Sequence, residues 1–195
     1  MPWASVVRCC LDGGMLVHLA EWTPPGAPGQ HLGLDAYADR LLLDCVDAVE
    51  ARTGQPGAFL AGHSLGGTLA AIFAARHPCR VRGLVLVEAP LRFGRHAGAF
   101  APLVAAAPDM ERRRPSGEDV PGSFLSVTSS AAAPVTFHWE RHADLLASLP
   151  SPRALETHLR VQRWTLDELP LPGRLFEEVV ERLYREDRLM RGDLL

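Results

Sequence analysis

Between the apolar run Ala58-Phe59-Leu60-Ala61 and the breaker-free, alanine-rich stretch Thr68 to His77 lies Gly62-His63-Ser64-Leu65-Gly66-Gly67. A strand that turns sharply at a glycine-flanked serine into a helix has the layout of a nucleophile elbow. The layout suits serine because a hydroxyl is a weak nucleophile, and a tight turn lifts it above the sheet edge. Gly62 and Gly66 flank Ser64 at two residues on either side, where a β-carbon is expected to collide as strand and helix crowd together. A bare G-x-S-x-G also occurs in ordinary glycine-rich loops. Its surroundings favour the elbow here: Pro78 stops the helix, and Val81-Arg82-Gly83-Leu84-Val85-Leu86-Val87 reads as another buried strand.

Up to about Phe93 the chain alternates strand-like and helix-like segments, which predicts a parallel sheet with helices on both faces. Gly14 marks a turn before Met15-Leu16-Val17-His18-Leu19-Ala20, a predicted buried strand, and Pro24, Pro25, Gly26, Pro28 and Gly29 predict an irregular loop. Leu41, Leu42, Cys45, Val46 and Val49 recur at three- and four-residue spacing, so an amphipathic helix is expected from Asp35 to Arg52, ending near Gly54. After Pro90 strand signals fade, and helices are expected between breaks at Pro115, Pro121, Pro134, Pro150, Pro152, Pro170 and Pro172. Ala97 to Ala107 reads as a loose helix or a connection. One helical face carries Trp139, His142, Leu146 and Leu149; another carries Leu175, Phe176, Val179, Val180, Leu183 and Tyr184, with Glu178–Arg182 and Glu181–Arg185 at the stabilising four-residue spacing. The second face needs a cover, which the α/β segment, an acyl pocket or another subunit would supply. The expected division is residues 1–93 as an α/β core segment and 94–195 as a helical cap or lid, together one structural domain.

At 195 residues the chain is long enough to bury about two-thirds of its unfolded surface. With 47% hydrophobic and 22% charged residues and a net charge of −3, it has the composition of a soluble globular protein and no electrostatic reason to bind nucleic acid. Arg112-Arg113-Arg114 sits among Glu111, Glu118 and Asp119, as a solvated loop would. Cys9, Cys10, Cys45 and Cys79 make neither a C-x-x-C pair nor a metal-ligand spacing with histidine, so reduced thiols, a cytoplasmic location and no metal site are expected. No signal-peptide pattern opens the chain, and no apolar stretch reaches the roughly 18 residues of a membrane span.

Taken together these segments resemble the poly(3-hydroxyalkanoate) synthases, a branch of the α/β-hydrolase superfamily that joins hydroxyacyl units from coenzyme A thioesters. Gly14 to Trp22 is similar to a family strand ending in an acid and a tryptophan, here Glu21-Trp22, and Leu34-Asp35-Ala36-Tyr37 to the start of the helix that follows. His77-Pro78 with Val81 to Pro90 resembles the strand after the elbow helix, and Arg160 to Trp164 with Leu183 to Leu194 the cap-to-core segment. The resemblance implies a partial α/β-hydrolase fold: a parallel sheet flanked by helices, followed by a mostly helical cap. It implies that the family's catalytic aspartate and histidine belong to strands beyond Leu195, and that the loop giving one oxyanion-hole amide belongs before Met15. The family places cysteine where this chain has Ser64. A thiolate exchanges readily with thioesters, whereas a serine ester is closer to a hydrolase intermediate, which shifts the expected acceptor towards water.

Ser64 is the expected nucleophile and the Leu65 backbone N–H part of its oxyanion hole. For the acid, Glu88 has a positional argument, since it ends the strand after the elbow helix; the plainer reading is a carboxylate bonded to a neighbouring loop. Asp109 has only its loop position. The base is not identified: His138, His142 and His158 lie on cap helices, His96 follows the second strand, and His77 is expected to cap the end of the elbow helix. His63 is expected to pack, His18 to sit in a strand and His31 in a loop. The leading expectation is an acyltransferase or hydrolase acting on hydroxyacyl thioesters or esters, with a coenzyme A thioester as substrate, no cofactor, and a homo-oligomer or second chain completing the fold. The alternative is a catalytically incomplete synthase relative serving as an interaction module.

Overall fold

The computed structural model describes residues 5–24, 26–106, 118–167 and 169–194. Ala107, Asp109, Arg112-Arg113-Arg114 and Pro115 lie outside them. The chain divides into two compact units, Pro25–Val120 with Leu171–Leu195, and Met1–Pro24 with Pro121–Pro170. The unit that holds the strands also takes in Gly94–Ala106 and the helices from Gly173 onward.

In the first unit β1 (Ala58–His63) and β2 (Val81–Val87) pair in parallel, from Phe59↔Gly83 to His63↔Val87, with an irregularity between Ala58 and Phe59. The helix α4 (Leu65–Arg76) joins them, and a short 3₁₀ turn at Pro78–Arg80 leads into β2. β2 was expected to be buried, yet Leu84, Val85 and Val87 are exposed, and β1 alternates half-buried with exposed positions. Among the described residues the strands pack chiefly against the helix that joins them; β1 exposes alternate side chains, while on β2 the adjacent Leu84 and Val85 are both exposed. Phe59, 70% exposed, lies over Gly83, whose absent β-carbon would sit 2.6 Å from the ring. The Arg82 guanidinium stacks 5.5 Å from the same ring centre.

The strands rest on α4, whose apolar residues run round most of its circumference and bury Leu69, Ala70, Ile72 and Phe73. Leu34 opens the predicted helix, which winds as a π-helix over Ala36–Arg40 and continues as α3 (Leu41–Thr53) to a left-handed cap at Gly54, φ 65°. The loop expected at Pro24–Gly29 contains a four-residue helical turn, α2 (Gly26–Gly29), closed by Gln30 N–H donating to Gly26 O. After β2 come two 3₁₀ turns (Gly94–His96 and Gly98–Phe100) and α5 (Ala101–Ala106).

The face of Leu175, Val180 and Leu183 belongs to α9 (Gly173–Glu178) and the π-helix Val179–Arg185, and its cover is the α/β unit itself. Leu175 and Leu183 join Leu34, Ala38, Leu69, Ile72 and Phe93 in one core. Both predicted ion pairs form, Glu181–Arg185 at 2.7 Å and Glu178–Arg182 at 3.4 Å. Glu178 also accepts the Leu34 N–H at 2.6 Å, capping a helix 144 residues away. Arg76, closing α4, donates to Asp35 (2.8 Å), Asp39 (3.1 Å) and the Leu194 carbonyl, and Arg182 reaches Asp35 at 3.1 Å.

Partial burial raises the Asp35 carboxyl, but hydrogen bonds and charge from Arg76 and Arg182 outweigh it and hold the group below its ordinary value of 3.8. A carboxylate with a depressed pKa stabilises the fold above 3.8 and loses that contribution as pH falls through its folded value. Asp35→Asn is therefore expected to cost about 0.5–1 kcal/mol at neutral pH, since the side chain is largely in water. Its deficit against wild type should shrink in the acid range; an equal deficit at pH 7 and at pH 2 in urea titrations contradicts this.

The second unit holds α1 (Val6–Asp12), α6 (Gly122–Ala132), the π-helix Val135–Glu140, α7 (Arg141–Ser148) and α8 (Pro152–Leu166). Ser151 caps α8 by accepting Ala154 N–H, with Pro152 at the first helical position, and Arg141 donates to Thr165 at 2.8 Å to tie α7 to α8. The predicted strand Met15–Ala20 is not one: after the turn at Gly14, φ 77°, the segment runs without a strand partner among the described residues, with Met15, Leu16 and Leu19 exposed. A strand needs a neighbour to receive its backbone hydrogen bonds, and none is provided there. The face of Trp139, Leu146 and Leu149 is likewise exposed, Trp139 at 77%.

Candidate active site

At the carboxyl end of β1 the chain turns at Ser64 with φ 51° and ψ −126°, and α4 begins at the next residue. A positive φ on a non-glycine residue costs of order 1–3 kcal/mol and persists where the surroundings over-determine it. They do so here: Ser64 N–H donates to Val87 O on the neighbouring strand at 2.9 Å, and Ser64 O accepts from Gly67 and Thr68 at 3.0 and 3.2 Å. The side chain is exposed, and Leu65 supplies the first amide of α4, which a helix leaves without an acceptor of its own.

The glycines differ from expectation in an instructive way. At Gly62 a β-carbon would meet Gly67 Cα at 2.5 Å and Gly66 O at 2.7 Å, as expected. At Gly66 it would meet nothing within 4 Å, so the collision expected there does not exist. The second constrained position is Gly67, where a β-carbon would stand 2.4 Å from Ala89 Cβ and 2.8 Å from Gly62 O. Helix and strand approach through Gly62 and Gly67, and through the fully buried Thr68, whose hydroxyl donates to Pro90 O at 2.7 Å. That bond ties the segment after β2 to the start of α4. The doubled glycine followed by threonine is the sequence signal for this contact.

Glu88 directly follows β2, with φ 49° and a largely exposed side chain. Its Oε2 lies 3.4 Å from His63 Nε2. His63 was expected to pack; it is instead half-exposed and paired across the two strand ends, because parallel register sets His63 beside Val87 and so near the next residue. Phe93 N–H, further along the same segment, donates to Asp187 Oδ1 at 2.9 Å, with Asp187 itself left-handed at φ 50°.

The other histidines are engaged locally. His77 ends α4 with its backbone N–H on Phe73 O, while its ring bonds Asp39 at 2.5 Å. Arg95 donates to His96 at 3.2 Å, His142 meets the His138 carbonyl at 2.5 Å, and the buried His158 bonds Asp144 at 2.5 Å between α8 and α7. Among the described residues no hydrogen bond joins a histidine to Ser64. His18 lies in the unpaired extended segment, and the His31 carbonyl accepts from Arg174.

A family model described as the alpha/beta hydrolase fold matches residues 18–186. The chain belongs to the alpha/beta hydrolase fold family. Within that family it is similar to the poly(3-hydroxyalkanoate) polymerase subunit PhaC of Haloferax mediterranei, with 29% identity over all of this chain and 40% of the relative. PhaC of Haloarcula marismortui is 27% identical over 97% of the chain and 40% of the relative, and that of Synechocystis 25% identical over 98% and 52%. The chain therefore spans about two-fifths to one-half of these relatives' length. The matched range of this hydrolase-fold chain contains the β1–Ser64–α4 turn, Glu88 and the Leu175–Leu183 face.

Proposed function

We propose that the chain is an acyltransferase or hydrolase that presents Ser64 as its nucleophile to hydroxyacyl thioesters or esters, coenzyme A thioesters among them, in the cytoplasm. The supporting observation is the backbone at Ser64: an exposed serine with φ 51° between a parallel strand and a helix that begin and end at its neighbours. In this reading Ser64 Oγ attacks the carbonyl carbon and surrenders its proton to a base, the oxyanion gathers at the Leu65 N–H, and the carbon–sulfur or carbon–oxygen bond breaks as the thiol or alcohol departs protonated. Water or a hydroxyacyl acceptor then takes the acyl group from the serine ester. Glu88 is the acid proposed for the site, and the similarity to PhaC proteins supports the hydroxyacyl class of substrate.

A fluorophosphonate probe tests the nucleophile without requiring turnover. Wild type should be labelled, with the adduct mapped to the peptide containing Ser64, and Ser64→Ala should not be. Equal labelling of the two proteins removes Ser64 from the mechanism.

The sheet has two strands among the described residues, so each strand has an outer edge without a partner there, which supports a second element of the proposal. A further chain, or a second copy of this one, completes the sheet, since an unpaired strand edge is a template for pairing.

A further inference from the structure

Within the α/β unit a cleft of about 810 Å³ opens between the segment after β2, α5 and the end of the π-helix Val179–Arg185. Its size falls in the roughly 300–1,000 Å³ range of small-molecule sites. One wall is apolar: Ala101, Val104 and Ala105 stand at i, i+3 and i+4 of α5 and so share a helical face. The facing wall carries Tyr184 and Arg185, with Arg95 at the rim. Tyr184 is held edge-on by Phe93 (4.9 Å) and Phe100 (6.0 Å), and burial raises its phenol above the ordinary value, so the wall carries no negative charge there.

Among the described residues no aspartate or glutamate lines this cleft. Arg185 is steadied by Glu181 at 2.7 Å. Arg95 donates its Nε–H to His96 and meets no carboxylate among the described residues, which leaves a full positive charge beside an apolar wall. A guanidinium has five N–H donors in a planar fork that matches a carboxylate's two oxygens, and Arg95 spends one of them on His96. Gly94, at φ 60°, turns the chain so that Arg95 meets the cleft.

We propose that this cleft binds an aliphatic carboxylate, with its head group on Arg95 and its hydrocarbon chain along the Ala101–Val104–Ala105 face. The six residues of α5 rise about 9 Å, enough to lie beside a chain of about six carbons. The site does not depend on Ser64 chemistry, and either proposal can stand if the other falls.

The probe is hexanoate, titrated into the full chain by calorimetry, with hexylammonium and hexanol as partners of the same length but different charge. Wild type and Ser64→Ala should both bind hexanoate saturably at one site. Arg95→Gln should weaken it about ten- to a hundred-fold, the effect of losing a charge-assisted hydrogen bond. Val104→Asp, which sets a carboxylate into the apolar wall, should weaken it as well. Arg95 is exposed and outside the core, so an unchanged thermal melt of Arg95→Gln separates lost binding from lost folding. The assignment is overturned if wild type shows no saturable hexanoate binding, if Arg95→Gln binds as wild type does, or if hexylammonium or hexanol binds equally well.

Discussion

Leu183→Ala is expected to destabilise the α/β unit by about 2–5 kcal/mol, the cost of removing a buried leucine and leaving a cavity. Leu183 is 0% exposed and packs in the core with Leu34, Ile72, Phe93 and Leu175, so the space left behind has walls on several elements that cannot all relax into it. Because the chain has two compact units, a single bulk unfolding curve mixes their transitions. Amide exchange in β1 and α4 reads the relevant unit alone. Where those amides exchange through unfolding of the whole unit, the substitution should speed them about 30-fold to several thousand-fold. Leu146→Ala, on the exposed face of α7, should leave them within about 0.5 kcal/mol of wild type. Equal protection in wild type and Leu183→Ala would mean that the Leu175–Leu183 face is not a working part of this core.

The glycine pair beside Ser64 should separate just as sharply. Gly67→Ala drives a methyl group to within 2.4 Å of Ala89 Cβ and 2.8 Å of the Gly62 carbonyl, and neither neighbour is the free end of a flexible side chain. Strand and helix must part, at about 1–3 kcal/mol or more, and the Thr68–Pro90 bond lies directly on the line of that movement. Gly66→Ala adds its methyl to open space in the first turn of α4, and is expected to be neutral or to stabilise by about 0.5–1 kcal/mol through reduced freedom of the unfolded chain. Amide exchange in β1 and α4 of the two variants decides the matter. The geometry fails if Gly66→Ala proves the more damaging.

What could be read before the fold was known was whatever is written locally. β2 runs over Val81–Val87 as its apolar run foretold, α3 ends at a left-handed Gly54, and α4 stops ahead of Pro78, because strand preference, glycine freedom and proline geometry act within a few residues. The position of Ser64 between strand and helix was legible for the same reason. Which glycine cannot bear a β-carbon was not, since the answer depends on Ala89, more than twenty residues on. Nor was the pairing of His63 with Glu88, which follows from strand register, or the capping of Leu34 by Glu178, which has no local signature. Spacing revealed an apolar face at Leu175–Leu183 but could not name its cover. The apolar run after Gly14 likewise suggested a strand at Met15–Ala20, where no neighbour among the described residues completes a ladder.

The Arg76 cluster and the Glu178 cap both join residues near position 35 to residues beyond 175. Contacts so far apart in sequence are slow to form, because a long loop must close before they repay its entropy. During synthesis β1, α4 and β2 emerge from the ribosome well before Leu175 and Leu183, and wait with Ile72 and Leu69 uncovered until α9 arrives. A nascent chain halted at about residue 170 should therefore recruit a holdase chaperone that a chain extended through Leu194 no longer attracts.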